Sequence, residues 1–120
     1  MIILADTSVW VNHLRGSETG LRPLLLEGSV LMHPFVLGEL ACGNLPQRAR
    51  ALENFKALPP ATLATDTDAL GLLERWKLWG LGIGWVDAHL IASALLSRCI
   101  LWTHDERLKN AAHRVGVTVP

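Results

Sequence analysis

The chain has 120 residues, half of them apolar and 18% charged, which excludes a disordered segment and is the size of one domain with a real core. Eleven basic and eleven acidic side chains cancel, so no global positive field marks a nucleic-acid binder, and any such contact must come from local patches. The apolar excess suits an interface between copies as well as a core.

Met1 to Ala5 lacks the basic flank and apolar length of a signal peptide, and no uncharged run approaches the ~18 residues of a membrane helix, which predicts a cytoplasmic protein without a membrane partner. Ile2 to Ala5 is apolar without alternation, as in a strand buried on both faces of a parallel sheet. Thr7 and Ser8 can cap a helix through Leu14, and Leu21 to Glu27 forms a second helix that Gly28 stops. Val30 to His33 reads as a strand, and Pro34 opens a helix through Cys42. Gln47 to Leu58 is helical until Pro59 and Pro60 break it, and Thr62 to Thr65 is a weak strand. Asp66 or Thr67 caps a helix through Trp79, after which Gly80, Gly82 and Gly84 loosen the chain. Trp85 to Ser97 is helical, Ile100 to Thr103 a buried strand, Asp105 to Arg114 the last helix, and Val117 to Val119 a closing strand. Cys42 and Cys99 have neither metal nor redox spacing and read as buried thiols. Strands alternating with helices predict a single α/β domain over residues 1–120, with a mainly parallel sheet of about five strands and right-handed crossovers.

Seven of the acidic residues suit solvated helix faces, helix starts or loops. Asp6, Glu39, Asp87 and Asp105 do not, because each interrupts or ends an apolar run, and an unpartnered buried carboxylate is strongly unfavourable. Asp6 and Asp105 follow strands, where α/β sheets bind ligands. Glu39 shares a helical face with Phe35 and Cys42, and Asp87 one with Leu90 and Ile91, so both point toward the expected core. Gathered at one rim, such carboxylates need a cation to ionise together, and oxygen ligands favour Mg²⁺ or Mn²⁺, which can drive phosphodiester hydrolysis without a covalent intermediate. Plainer roles exist: Asp105 as a helix N-cap, Asp6 as a turn former, Asp87 as a first-turn dipole partner. Glu39 has none so ready.

The segments Ile-Ile-Leu-Ala-Asp-Thr-Ser-Val-Trp around Asp6, Leu-Gly-Glu-Leu around Glu39, Val-Asp-Ala-His-Leu-Ile-Ala around Asp87 and Leu-Trp-Thr-His-Asp-Glu-Arg-Leu around Asp105 together resemble the PIN-domain family, and within it the VapC-type toxins of prokaryotic toxin–antitoxin pairs. The resemblance covers essentially the whole chain and departs at no site position. It implies a PIN-like three-layer α/β/α fold and an endoribonuclease dependent on Mg²⁺ or Mn²⁺, with Asp6, Glu39, Asp87 and Asp105 as catalytic and metal-binding carboxylates. Thr7 and Thr103 would support them from behind. It further implies an RNA substrate, a homodimer, and a cognate antitoxin that places a basic side chain in the acidic pocket.

Arg15, Arg48, Arg50, Lys56, Arg75 and Lys77 offer a phosphate path, although solvated helix charges explain each of them as well. Trp76, Trp79, Trp85 and Trp102 could stack bases, but their spacing favours core or dimer interface. His104 is the histidine beside the site and is not expected to be a ligand. A receiver domain would need an acidic pair after the first strand, and a haloacid-dehalogenase-like phosphatase an aspartate where Ser8 stands. The remaining alternative is a catalytically silent PIN-like module that binds RNA or protein.

Overall fold

Residues 1–18 and 20–120 are described by a computed structural model. β1 (Ile3–Ala5) lies at the centre of a parallel sheet between β2 (Val30–Leu31) and β3 (Ile100–Trp102). Ile3 pairs with Val30 and Ile100, Leu4 with Leu31 and Leu101, and Ala5 with Trp102. Every residue of β1 is buried whichever face it points to, so the sheet is covered on both sides, as its unbroken apolar sequence requires.

Helices α1 (Thr7–Leu14), α2 (Leu21–Leu26), α3 (Pro34–Ala41), α4 (Arg48–Lys56), α5 (Asp66–Trp76), α6 (Trp85–Ser97) and α7 (Glu106–Val115) supply the covering layers. α6 is the innermost, with Ala88 through Ala94 all buried. α7 is strongly amphipathic: Leu108, Ala111, Ala112 and Val115 form its buried stripe at helical spacing.

Two expected strands are absent from the sheet. The chain meets β2 slightly upstream of Thr62 to Thr65, through a single parallel bridge between Met32 and Pro60. Pro59 and Pro60 carry no N–H, and the Thr62 N–H turns to Ser97 Oγ at 2.9 Å, so no ladder extends from there. Val117 to Val119 gives β3 one hydrogen bond, Leu101 N–H to the Thr118 carbonyl at 3.0 Å. The Val117 N–H instead closes the end of α7 on the Ala112 carbonyl, leaving too few donors for a strand.

The helix caps also differ from expectation. Asp6, not Thr7 or Ser8, caps α1, and Thr65 caps α5 through a reciprocal pair with Asp68. α5 stops at Trp76, where Lys77 turns left-handed. Cys42 is exposed and Cys99 half-buried, against the expectation of two buried thiols. Cys42 is the C-cap of α3 and Cys99 lies between the end of α6 and β3.

Candidate active site

Asp6 leaves the carboxyl end of the central strand, its N–H donating to the Trp102 carbonyl of β3 at 2.9 Å. The side chain is buried, and its oxygens are occupied: Oδ1 accepts from Ser8 Oγ and from the Val9 N–H at 3.2 Å, and Oδ2 accepts from Thr103 Oγ1. Thr103, fully buried just past β3, accepts in turn from the Asp105 N–H at 3.0 Å. Ser8 Oγ accepts from the His104 N–H at 3.2 Å. Two hydroxyls thus bridge the ends of β1 and β3 and hold Asp6 and Asp105 at one rim of the sheet, as convergence of neighbouring strands demands.

Glu39 reaches the same rim by a different route from the one its sequence suggests. The core face of α3 is Val36 and Leu40, while Phe35, Glu39 and Cys42 are exposed. α3 is apolar nearly all round, so the apolar run did not identify its inner face, and the expectation that Glu39 points into the core is wrong. Its Oε1 instead accepts from Thr7 Oγ1 at 2.7 Å, which fixes it beside Asp6. Asp87 stands in the first turn of α6, with Oδ2 accepting the Gly84 N–H at 3.0 Å, so its helix-start role is real.

Asp6, Thr7, Glu39, Trp85 and Asp87 line one open cavity of about 370 Å³. Asp105 is not part of that lining. Its Oδ1 accepts the Arg107 N–H at 2.9 Å and the Leu108 N–H at 3.3 Å, so it caps α7 as the plainer reading had it. Its charge nevertheless reaches the cavity. The Asp87 carboxyl is raised above the usual aspartate range by burial, opposed by the Gly84 hydrogen bond and reinforced by the negative charges of Asp105, Asp6 and Glu39. The other three carboxylates therefore all act on Asp87, and Asp6, Glu39 and Asp87 directly line the cavity.

Ser8 is the site residue that sequence reasoning missed, having been read only as a cap. Asp66, set aside as a helix-start charge, is hydrogen-bonded to the buried His89 ring, Nε2 to Oδ1 at 2.9 Å. Burial, reinforced by neighbouring His89, lowers the His33 imidazole to about 4. His33 is thus neutral, and its Nδ1 caps α3 by accepting the Phe35 N–H at 3.0 Å. His104 pairs with Glu18 at 3.3 Å. Arg48 donates to the carbonyls of Ala41 and Gly43 at 2.6 and 3.0 Å, an occupied guanidinium at the end of α3.

The PIN domain family matches residues 3–114. The chain belongs to the PIN-domain family. It is 42% identical over 119 residues to Ribonuclease VapC32 of Mycobacterium tuberculosis, in both strain CDC 1551 / Oshkosh and strain H37Rv, covering 98% of this chain and 96% of each relative. In fold it is similar to the structure of FitAB bound to an IR36 DNA fragment, with a TM-score of 0.70 at 20% identity, covering 99% of this chain and 94% of that one. It is also similar to PAE2754 from Pyrobaculum aerophilum, with a TM-score of 0.64 at 14% identity, covering 99% and 83%. These two likenesses establish the α/β PIN fold, with the shorter parallel sheet described above. Among the described residues no three His, Cys, Asp or Glu side chains stand close enough to grip one ion by themselves. No helix among them is long and apolar enough to cross a membrane.

Proposed function

We propose that this PIN domain, acting as a single unit over residues 1–120, is an Mg²⁺- or Mn²⁺-dependent endoribonuclease and the cytoplasmic toxin of a type II toxin–antitoxin pair. The supporting observation is the gathering of Asp6, Glu39 and Asp87 around one cavity at the carboxyl edge of the sheet with Asp105 nearby, where burial and the other three charges hold Asp87 above its usual pKa. A cluster of like charges in a half-buried cavity is built to receive a cation or a basic side chain. The kinship with a relative named as a ribonuclease supports the choice of RNA phosphodiester hydrolysis.

The donor set fits a hard cation, since it offers only oxygen. Since no three of them stand close enough to grip an ion together, one or two of Asp6, Glu39 and Asp87 would contact it directly and the rest through water, with phosphate oxygens completing its shell, the usual manner of Mg²⁺. A bound cation supplies charge to the phosphodiester and an activated water. Asp6 is prevented from swinging away by Ser8, Val9 and Thr103, and Thr7 restrains Glu39. Thr103 and Thr7 thus set the positions of the carboxylates without touching substrate. Asp105 adds negative charge at the margin, through a backbone fixed to Thr103.

A cavity of about 340 Å³ between α1 and the end of α3, bordered by Leu14, Leu40 and Leu45 and by Arg15 and Glu39, adjoins the acidic site. It suits an antitoxin segment that inserts an apolar side chain there and a basic one among the carboxylates. Protein freed of any antitoxin should cleave RNA with Mg²⁺ or Mn²⁺, stop on addition of EDTA, and lose activity on Asp6→Asn or Asp87→Asn. Cleavage by Asp6→Asn at the parent rate would exclude this reading, and RNA binding without cleavage by the parent would leave a silent module.

A further inference from the structure

The acidic cavity poses a physical problem for an RNA substrate. Its lining contains no basic side chain, and the chain as a whole is formally neutral, so the phosphate attraction that usually dominates nucleic-acid affinity is weak here. At the cavity itself, binding strength beyond any bound cation must come from contacts that do not depend on charge.

Two aromatic rings stand where such contacts are needed. Trp85 is the first residue of α6, two positions before Asp87, and lines the cavity with 41% of its surface exposed. Phe35 lies one helical turn before Glu39 on the same outward face of α3 and is 37% exposed. Scattered exposed aromatics need no explanation, but these come from different helices and rest on the same support. Trp85 meets the His89 ring edge-on at 4.7 Å and 85°, and Phe35 meets it at 4.9 Å and 72°. His89 is buried and fixed by Asp66, while Phe35 also touches the buried His33 ring at 5.1 Å. The two rings are therefore pre-set rather than mobile, which reduces the entropy lost on stacking.

We propose that Trp85 and Phe35 form a stacking platform that takes an unpaired nucleobase of the substrate beside the acidic cavity, a proposal that rests on the nuclease reading above. The base must be unpaired, because a base within a duplex already has both faces covered. The platform selects single-stranded loops and ends over helical RNA, and it is tolerant of base identity because every base has a π face.

The test uses an RNA hairpin with an unpaired loop and a fully paired duplex of the same stem, each with Mn²⁺. Trp85→Ala should raise KM for the hairpin by roughly 10- to 100-fold while kcat at saturation stays within about threefold. Trp85→Phe should recover most of the loss, and Phe35→Leu should give a smaller rise. Trp79→Ala is the control, since Trp79 is 58% exposed but lies outside the cavity lining, and it should leave KM unchanged. An unchanged KM in Trp85→Ala overturns the proposal. So does a KM rise accompanied by dissociation to a smaller species in light scattering, which would assign the ring to contact between copies. Should the parent cleave nothing, anisotropy of the labelled hairpin decides separately: affinity lost in Trp85→Ala and regained in Trp85→Phe keeps the platform while the nuclease reading falls.

Discussion

Asp87 carries a carboxyl that is hard to ionise, since burial and then the charges of Asp105, Asp6 and Glu39 raise its pKa in the folded chain. The folded state therefore holds that proton more tightly than the unfolded state, and cation-free stability falls as pH rises through the raised pKa. Asp87→Asn keeps an oxygen for the Gly84 N–H and removes the charge. It should therefore be more stable than the parent at neutral pH, with the advantage vanishing below the ordinary value of 3.8, even though activity is lost. Urea midpoints of both proteins across acid to neutral pH measure this, and a variant less stable than the parent at pH 7 without metal would contradict it. At this scale the sequence was readable where a carboxylate broke an apolar run, which is how Asp6 and Asp87 stand out. It was silent where a role depends on residues far apart in the chain. Ser8 matters because of the His104 N–H, 96 positions away, and Asp66 because of His89, 23 positions away. Glu39 was found for an incorrect reason, its helix being apolar on more than one side.

The helices followed closely from periodicity and breakers though not from the expected caps, whereas the sheet shrank from five expected strands to three because strand assignment depends on where donors go, not on apolar content. Pro59 and Pro60 have no N–H to give, and those of Thr62 and Val117 are directed away from the sheet. The loop that carries Trp85 and Asp87 into place shows another element-level constraint. Gly82 has φ +82°, and a Cβ there would come within 2.6 Å of Arg107 Cδ, so the α6 approach and the start of α7 meet closely at this residue. Gly82→Ala should cost roughly 1–2 kcal/mol in stability from backbone conformation alone. It should also lower kcat/KM, because displacement of the loop moves the helix start that bears Asp87. Denaturant unfolding and cleavage kinetics on one preparation measure both, and parental stability in Gly82→Ala would show that the loop adopts another path. Gly71→Ala serves as the control, since a Cβ at Gly71 meets nothing within 4 Å.

At the scale of the molecule, the apolar half of the composition does not all enter the core. Leu70, Leu95 and Leu96 are exposed on α5 and α6, which pack side by side, and Leu95 and Leu96 border a groove between them. An exposed leucine surface of this kind suits the homodimer that the resemblance of the sequence implies. Leu96→Glu should shift the protein from dimer to monomer in light scattering at micromolar concentration, with the circular-dichroism spectrum unchanged. A parent that is already monomeric would contradict the expected dimer without touching the site. The union of β1 with β3 has an implication for synthesis. Asp6 is made well before the hydroxyl that seats its Oδ2, which belongs to Thr103, 97 positions later. A chain still emerging from the ribosome has no such seat, because the pairing that supplies it is among the most non-local contacts in the fold and must wait for the C-terminal strand. An unfinished copy consequently lacks the seated carboxylate on which the proposed nuclease chemistry depends.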